Sequence, residues 1–139
     1  MNQAYPLRKA FPSIATRFQS AAAVALALLL GGCIAGDCDS SLLDEVRSPD
    51  GARIAAAFHW DCGATTKTAQ LITLRASGRS FDGGDDPIVF STTWGGKLHP
   101  VWKDARTLVI EHDAPAREIF IQETRLESVT ISYLRKGGL

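Results

Sequence analysis

The densest group of polar and small side chains lies in the segment Asp61-Cys62-Gly63-Ala64-Thr65-Thr66. In a ligand loop, Gly63 would let the backbone approach a bound molecule closely, and the threonine hydroxyl groups would donate hydrogen bonds to a glycan or a peptide. In a structural loop, the same hydroxyl groups would bond to local backbone groups at the exit of a strand. The pattern favours the structural interpretation and leaves a candidate ligand loop made of Asp61, Gly63, Thr65 and Thr66.

A second polar segment carries three carboxylates, Asp82, Asp85 and Asp86, separated by two glycines. Calcium ions require clustered carboxylates, so this segment is a candidate cation site. The segment lacks both the alternating acids around a central glycine and the distal glutamate of an EF-hand loop. We therefore predict a solvated hairpin loop here and no metal site.

Three histidines, His59, His99 and His112, could act as general bases or as metal ligands. They lie on separate predicted strands, and no serine in a nucleophile-elbow context accompanies them. No pair of carboxylates can be singled out for hydrolysis, and the sequence has no phosphate-binding loop, dinucleotide-binding motif or haem attachment motif. The sequence therefore predicts a protein that is not an enzyme, that needs no cofactor, and whose histidines are packed or lie on the surface.

The most specific chemistry belongs to Cys33, which ends the motif Leu30-Gly31-Gly32-Cys33. The ten apolar residues 21–30 precede the two glycines, and three basic residues but no acidic residue precede that run. This layout is typical of an export signal, and the run is too short for the roughly twenty residues that span a bilayer. A buried helix or an uncleaved short anchor is the alternative interpretation.

The motif resembles the lipobox of bacterial lipoprotein signals. The resemblance implies cleavage after a signal peptide at 1–32, alkylation of the Cys33 thiol by a diacylglyceryl group, and a mature chain that begins at this cysteine. Such a chain is anchored in a membrane and faces the periplasm. In a Gram-negative host, Ile34 after the lipidated cysteine favours the outer membrane.

Removal of residues 1–32 leaves 107 of the 139 residues, with 12 basic and 15 acidic side chains and a net charge of −3. Nucleic-acid binding is not expected, because no clustered Lys/Arg face is apparent. A chain of this length forms one domain. We place this domain at 44–139, after a lipidated tether at 33–43.

With Cys33 acylated, Cys38 and Cys62 remain as an even pair in an oxidising compartment. A reactive thiol and metal ligation are the alternatives, but no Cys-x-x-Cys motif and no histidine at ligand spacing supports a zinc site. We therefore predict a disulfide. Closing a loop of roughly 25 residues would stabilise the domain by about 3 kcal/mol and fix the N-terminal segment to the strand that ends at Cys62.

Apolar and polar residues alternate with a period of two through most of the sequence after residue 50. The turn Ser48-Pro49-Asp50-Gly51 precedes the first predicted strand, and Pro100 places the fourth at an edge or a bulge. No amphipathic helix interrupts the series, so the sequence predicts an all-β antiparallel meander that forms a barrel or a sandwich. The seven predicted strands cover residues 53–60, 70–75, 87–93, 98–102, 108–111, 118–122 and 128–133.

Two combinations of motifs resemble known proteins. The turn at 48–51 and the Trp102-turn-strand pattern resemble blades of periplasmic β-propellers, but a closed propeller needs at least about four blades and this chain has residues for about two. The same turn, the segment Phe58–Thr66 and the Trp102–His112 pattern resemble a family of small bacterial proteins of unknown activity. That resemblance spans residues 38–112 and implies a single domain with the Cys38–Cys62 disulfide.

Together these features predict a membrane-anchored envelope lipoprotein that serves as a non-catalytic binding or structural module. The expected partners are the membrane, through the lipid, and an envelope protein or a glycan. Of the three tryptophans, which we expect mainly in the core, one exposed side chain could anchor such a partner, because tryptophan is enriched at binding hot spots. They are Trp60, Trp94 and Trp102. The alternative is an inhibitor of a hydrolase such as lysozyme, because small disulfide-bridged β lipoproteins include such inhibitors.

Overall fold

The computed structural model describes residues 38–137, and its regular elements are nine strands and one turn of 3-10 helix at Ala116–Glu118. The predicted all-β class is confirmed for this part of the chain. Within 38–137, no helix has the length and apolar character needed to cross a membrane. The strands are β1 (Asp39–Arg47), β2 (Arg53–Asp61), β3 (Ala69–Ala76), β4 (Ile88–Thr92), β5 (Leu98–Asp104), β6 (Thr107–His112), β7 (Ile119–Gln122), β8 (Arg125–Leu126) and β9 (Val129–Arg135).

The predicted signal peptide at 1–32 and the lipid attachment at Cys33 lie outside the described residues. Both therefore stay predictions. The expected tether at 33–43 is only partly described, and its last residues prove to be part of the fold.

The strands form two sheets that pack as a small β-sandwich. The first sheet has the order β1-β2-β3-β4-β7 and is antiparallel throughout, whereas the second has the order β5-β6-β9-β8. In the second sheet β6 and β9 are parallel, with Leu108 opposite Ile131 and Ile110 opposite Tyr133. The predicted meander is thus wrong in its connectivity. After β6 the chain adds β7 to the first sheet and returns to the second, so β9 lies parallel to β6.

The core lies between the inner faces of the two sheets. In the first sheet, small residues of β2 lie opposite large residues of β3, with Ala55 facing Leu74 and Ala57 facing Ile72 across the ladder. Alternate residues of each strand point to the same face, so these side chains share the inner face. The buried core side chains are Ala55, Ala57, Ile72, Leu74, Val89, Phe90, Leu108, Ile110, Val129 and Ile131.

The outer face of the first sheet is covered as well, by the connection between β3 and β4 at residues 77–87. The Phe81 ring lies 5.1 Å from the Phe58 ring in an edge-to-face arrangement, and the guanidinium of Arg75 lies 5.9 Å from the centre of the Phe81 ring. Gly83 is buried in this connection. A Cβ atom there would lie 2.9 Å from Cβ of Ser40, so only glycine fits without movement of β1. The predicted solvated hairpin is therefore corrected, since this loop is partly buried.

The first strand begins five residues before the expected start of the domain. Asp39 pairs with Asp61, and Cys38 and Cys62 are joined by a disulfide with an S–S distance of 2.00 Å. The predicted disulfide is thus present in the structure. The tether prediction is corrected for 39–43, because the disulfide and the backbone ladder hold these residues on β2.

Candidate functional site

One end of the sandwich carries a cleft of about 560 Å³. The segments around it follow β4, β6 and β9, because each of these strands ends on this side of the domain. In the first sheet Thr92, at the end of β4, lies opposite Ile119 of β7, and in the second sheet His112 of β6 lies opposite Arg135 of β9. The cleft is lined by Trp94, Lys97, Asp113, Pro115, Arg117, Arg135, Lys136 and Gly137.

Trp94 is held by one indole and one backbone hydrogen bond, while 40% of the residue stays exposed. Its Nε1–H donates to Oδ1 of Asp113 at 3.0 Å, and its backbone N–H donates to Oγ1 of Thr92 at 3.0 Å. The same Asp113 oxygen accepts from the backbone N–H of Lys97 at 2.9 Å. The connection between β4 and β5 is therefore tied to the connection between β6 and β7, with an aromatic face left open to solvent.

Gly96 allows this close approach. A Cβ atom at this position would lie 2.5 Å from Nε1 of Trp94 and 2.7 Å from Cγ of Asp113. Any side chain there would push apart the two groups that are hydrogen-bonded to each other. A Cβ atom on the neighbouring Gly95 would meet open space.

Gln70 and His59 support the same loop from inside the sandwich. The hydrogen bonds of the Gln70 amide are best satisfied in the orientation in which its nitrogen donates to the carbonyl oxygens of Trp94 at 3.1 Å and Gly96 at 3.2 Å. Its oxygen then accepts from Nε2–H of His59 at 3.1 Å. His59 therefore orients the Gln70 amide, which in turn holds the loop.

The loop is also bonded to the segment that precedes β7. Oγ1 of Thr93 donates to Oε2 of Glu118 at 2.6 Å, and Oγ1 of Thr92 donates to the carbonyl oxygen of Glu118 at 2.8 Å. The hydrogen bond from Thr93 lowers the pKa of the Glu118 carboxyl, which favours its ionised form. These contacts fix the loop on the β7 side of the cleft.

The lining of the cleft is predominantly basic. Four cationic side chains, Lys97, Arg117, Arg135 and Lys136, surround one carboxylate, Asp113. Lys136 is paired with Glu111 at 2.5 Å, and Arg117 lies 3.8 Å from Glu118. Among residues 38–137, Lys97 and Arg135 are exposed and have no carboxylate within salt-bridge distance.

His112 lies beside this end of the domain, in the core. Its ring is 5.1 Å from the Phe90 ring and 6.3 Å from the Tyr133 ring. Burial, and then the nearby charge of Arg135, lowers the pKa of the His112 imidazole. The neutral ring therefore packs as an aromatic core residue.

The candidate ligand loop is exposed and bonded within itself. The Gly63 N–H donates to Oδ1 of Asp61 at 2.9 Å, and Oγ1 of Thr66 donates to the carbonyl oxygen of Gly63 at 3.2 Å. Oγ1 of Thr68 donates to the other Asp61 oxygen at 3.2 Å, and Thr65 is exposed. Gly63 has a φ of +96°, which favours glycine at this turn. These contacts favour the structural interpretation, and the four residues do not line the cleft.

The other sequence candidates lie apart from one another. His59 contacts Gln70, His99 Nδ1 lies 2.8 Å from Oδ2 of Asp44, and His112 is in the core. Of the three aspartates, Asp86 is buried and accepts from the backbone N–H of Asp82 at 3.3 Å. In the part of the chain that the structure describes, no three His, Cys, Asp or Glu side chains are arranged to hold a metal ion.

Sequence reasoning identified Trp94 only as one of three tryptophans and missed the charged lining. Trp102, by contrast, donates from Nε1 to the carbonyl oxygen of Val46 at 2.9 Å and is partly buried. The sequence feature that could have indicated the site is the segment Trp94-Gly95-Gly96-Lys97, in which two glycines separate an aromatic residue from a basic one. Arg135 ends the last strand, and Lys136 follows it.

No protein-family model matches this sequence, and neither the curated proteins nor the solved structures contain a significant match. The resemblances to bacterial lipoprotein signals and to a family of small bacterial proteins therefore stay predictions. The function has to be argued from the cleft and from the sequence signals.

Proposed function

We propose that this chain is a lipid-anchored lipoprotein of the bacterial envelope, and that its β domain is a non-catalytic module that binds an anionic component through the Trp94 cleft. The lipobox at Cys33 supports the anchor. The observation that supports the binding site is a half-exposed tryptophan held rigidly among four basic side chains.

The rigidity of the site favours a role in binding. Trp94 is positioned by its bonds to Asp113 and Thr92, so a ligand that packs on the indole does not have to order it first. Pre-organisation of this kind lowers the entropy cost of association. Asp113 already accepts two hydrogen bonds, from Trp94 and Lys97, which favours a positioning role over acid–base chemistry.

The anchor is tested by the mass of the intact protein extracted from its native membranes. We expect a chain that begins at Cys33 and carries acyl groups, with two thiols that become alkylatable only after reduction. A Cys33→Ser variant is the control and should remain unacylated. A wild-type chain that retains Met1, or that carries free thiols before reduction, would contradict the proposal.

The cleft is tested by titrating the purified protein with pyrophosphate and following tryptophan fluorescence, with glucose as the uncharged control. We expect a saturable change that disappears in Trp94→Phe. The double variant Arg117→Gln/Arg135→Gln should bind about tenfold more weakly, since two partly exposed charge pairs are each worth up to about 1 kcal/mol.

Arg106→Gln is the matched control for these variants, because this exposed arginine lies in the turn between β5 and β6 at the opposite end of the domain. It should bind pyrophosphate like the wild type. No fluorescence change with pyrophosphate, or equal weakening in Arg106→Gln, would argue against the cleft. The alternative function is tested with the same protein, because an inhibitor would reduce lysozyme activity in a dose-dependent manner.

A further inference from the structure

We infer that the anion bound by the Trp94 cleft is the phosphate of anionic lipid headgroups in the membrane that holds the anchor. This inference rests on the proposed lipid anchor and on the proposed binding site. It adds the identity of the ligand and the orientation of the domain on the bilayer.

The first argument is the topology of the strand ends. Asp39, at the start of β1, pairs with Asp61 at the end of β2, and the Cys38–Cys62 disulfide lies just beyond this pair. Trp60 pairs with Ala69, and the neighbouring Gln70 pairs with Thr92 at the end of β4. The segment 93–97 that carries Trp94 therefore leaves the sheet at the same end as the disulfide.

The second argument is the reach of the chain. Four residues lie between Cys33 and Cys38, and a fully extended chain spans at most about 3.6 Å per residue step, or about 18 Å over the five steps. A lipid on Cys33 thus keeps the disulfide end of the domain at the bilayer surface. The turns at 49–51 and 105–106 lie at the other end and face away from the membrane.

The third argument is the chemistry of the lining. Arginine recognises phosphate with paired N–H donors, and lysine adds a point charge. Tryptophan is enriched where membrane and water meet, because its ring is apolar while its N–H is polar. Trp94 and the four cations therefore combine the two side-chain properties that suit a phospholipid headgroup.

The acidic groups at this end restrict the geometry of the contact. Asp39 and Asp61 lie at the β1 edge of the first sheet, whereas Arg117 precedes β7 at the opposite edge. An anionic surface would be repelled at the β1 edge and attracted at the cleft. We therefore expect the domain to contact the bilayer surface through the side that carries the cleft.

The test uses the acylated protein, reconstituted into vesicles whose phospholipids carry bromine on their acyl chains near the headgroup. Bromine quenches nearby tryptophan, so the difference in fluorescence between wild type and Trp94→Phe reports the depth of Trp94. We expect strong quenching of Trp94 in vesicles that contain phosphatidylglycerol and weaker quenching in vesicles of phosphatidylcholine alone. Arg117→Gln/Arg135→Gln should lose the extra quenching, and Arg106→Gln should keep it.

The outcomes separate the two proposals. Equal quenching of Trp94 in the two kinds of vesicle, in a protein that still binds pyrophosphate in solution, would overturn the lipid assignment and leave the proposed function intact. A protein that responds neither to pyrophosphate nor to phosphatidylglycerol would overturn both. Pyrophosphate that competes away the extra quenching would support a single phosphate site in the cleft.

Discussion

Gly96 shows how a single position controls the geometry of the cleft. Its backbone passes so close to Trp94 and Asp113 that a Cβ atom would collide with both. The collision would involve the hydrogen bond between Nε1 and Oδ1, which is the contact that orients the indole. The absence of a side chain at Gly96 therefore determines how the Trp94 indole is oriented.

We expect Gly96→Ala to destabilise the domain by about 1–3 kcal/mol, the usual cost of forcing an extra methyl group into a packed site. It should also weaken pyrophosphate binding, because Trp94 and Asp113 must separate. Urea unfolding and the fluorescence titration measure the two effects. Gly95→Ala is the matched control and should change neither, since nothing lies within 4 Å of its added Cβ atom. Equal behaviour of the two variants would show that the loop relaxes freely.

At the level of elements, β1 is the strand that depends most on a few individual contacts, namely a disulfide and side-chain interactions. It forms one edge of the first sheet, and most of its residues are exposed, including Leu42 and Leu43 at 47% each. Besides the ladder with β2, it is held by the disulfide and by three side-chain contacts with β3 and β5, one of which is the pair of Asp44 with His99 at 2.8 Å. Glu45 pairs with Arg75 at 2.5 Å, and the Val46 carbonyl oxygen accepts from Trp102.

Removal of the disulfide should therefore loosen β1 before the rest of the fold. We expect Cys38→Ser/Cys62→Ser to cost about 3 kcal/mol in unfolding free energy, because the unfolded chain regains the freedom of a 24-residue separation. In hydrogen exchange, the amides of β1 should lose more protection than those of β3, whose side chains from Gln70 to Arg75 are all buried. Equal loss in both strands would mean that β1 opens only with the whole domain.

The regular strands were predictable because alternation of residue types is a local property. Residues 70–75 and 108–111 were expected as strands, and β3 and β6 contain them. The first strand was missed because Asp39–Arg47 has no period of two in its apolar residues and contains a bulge between Leu42 and Asp44. The two-residue strand β8 is too short to give any pattern.

Features that depend on distant parts of the chain could not be predicted. Nothing in the sequence of β6 or β9 indicates that the two strands pair in parallel. The packing of Phe81 on Phe58 joins a loop to a strand that is distant in sequence. The cleft is of the same kind, because its lining comes from three separate segments after residue 92. Of the cleft, the sequence indicated only that one of the three tryptophans could be exposed and contact a partner.

At the scale of the whole molecule, aromatic and polar side chains bridge the two sheets. The Phe90 ring of the first sheet lies 5.6 Å from the Tyr133 ring of the second. The Tyr133 hydroxyl lies within hydrogen-bonding distance of the carbonyl oxygens of Glu123 at 2.5 Å and Val89 at 3.2 Å. His112 completes this group, and its Nδ1 has no hydrogen-bond partner among the described residues. One titratable ring thus lies within the contact that holds the sandwich together.

The stability of the domain should consequently fall as the pH drops below the ordinary histidine value of 6.5. Burial lowers the pKa of His112 in the folded state, so between that lowered value and 6.5 the unfolded chain binds a proton that the folded chain does not. The free energy of unfolding therefore increases with pH in this window and levels off above it. The pKa values of Glu111 and Glu118 are lowered from 4.5, so their contributions are lost only in more acidic solution.

Urea unfolding at a series of pH values from neutral to mildly acidic measures this dependence. Replacement of His112 by Gln should flatten the slope in the window whatever its effect on stability at neutral pH, and a second variant, His112→Phe, should do the same without a polar group. His99→Gln is the control, because this histidine is exposed beside Asp44 on the outer surface. If the slope survives in both His112 variants and disappears in His99→Gln, the proton that destabilises the fold is taken up at the surface and not in the core.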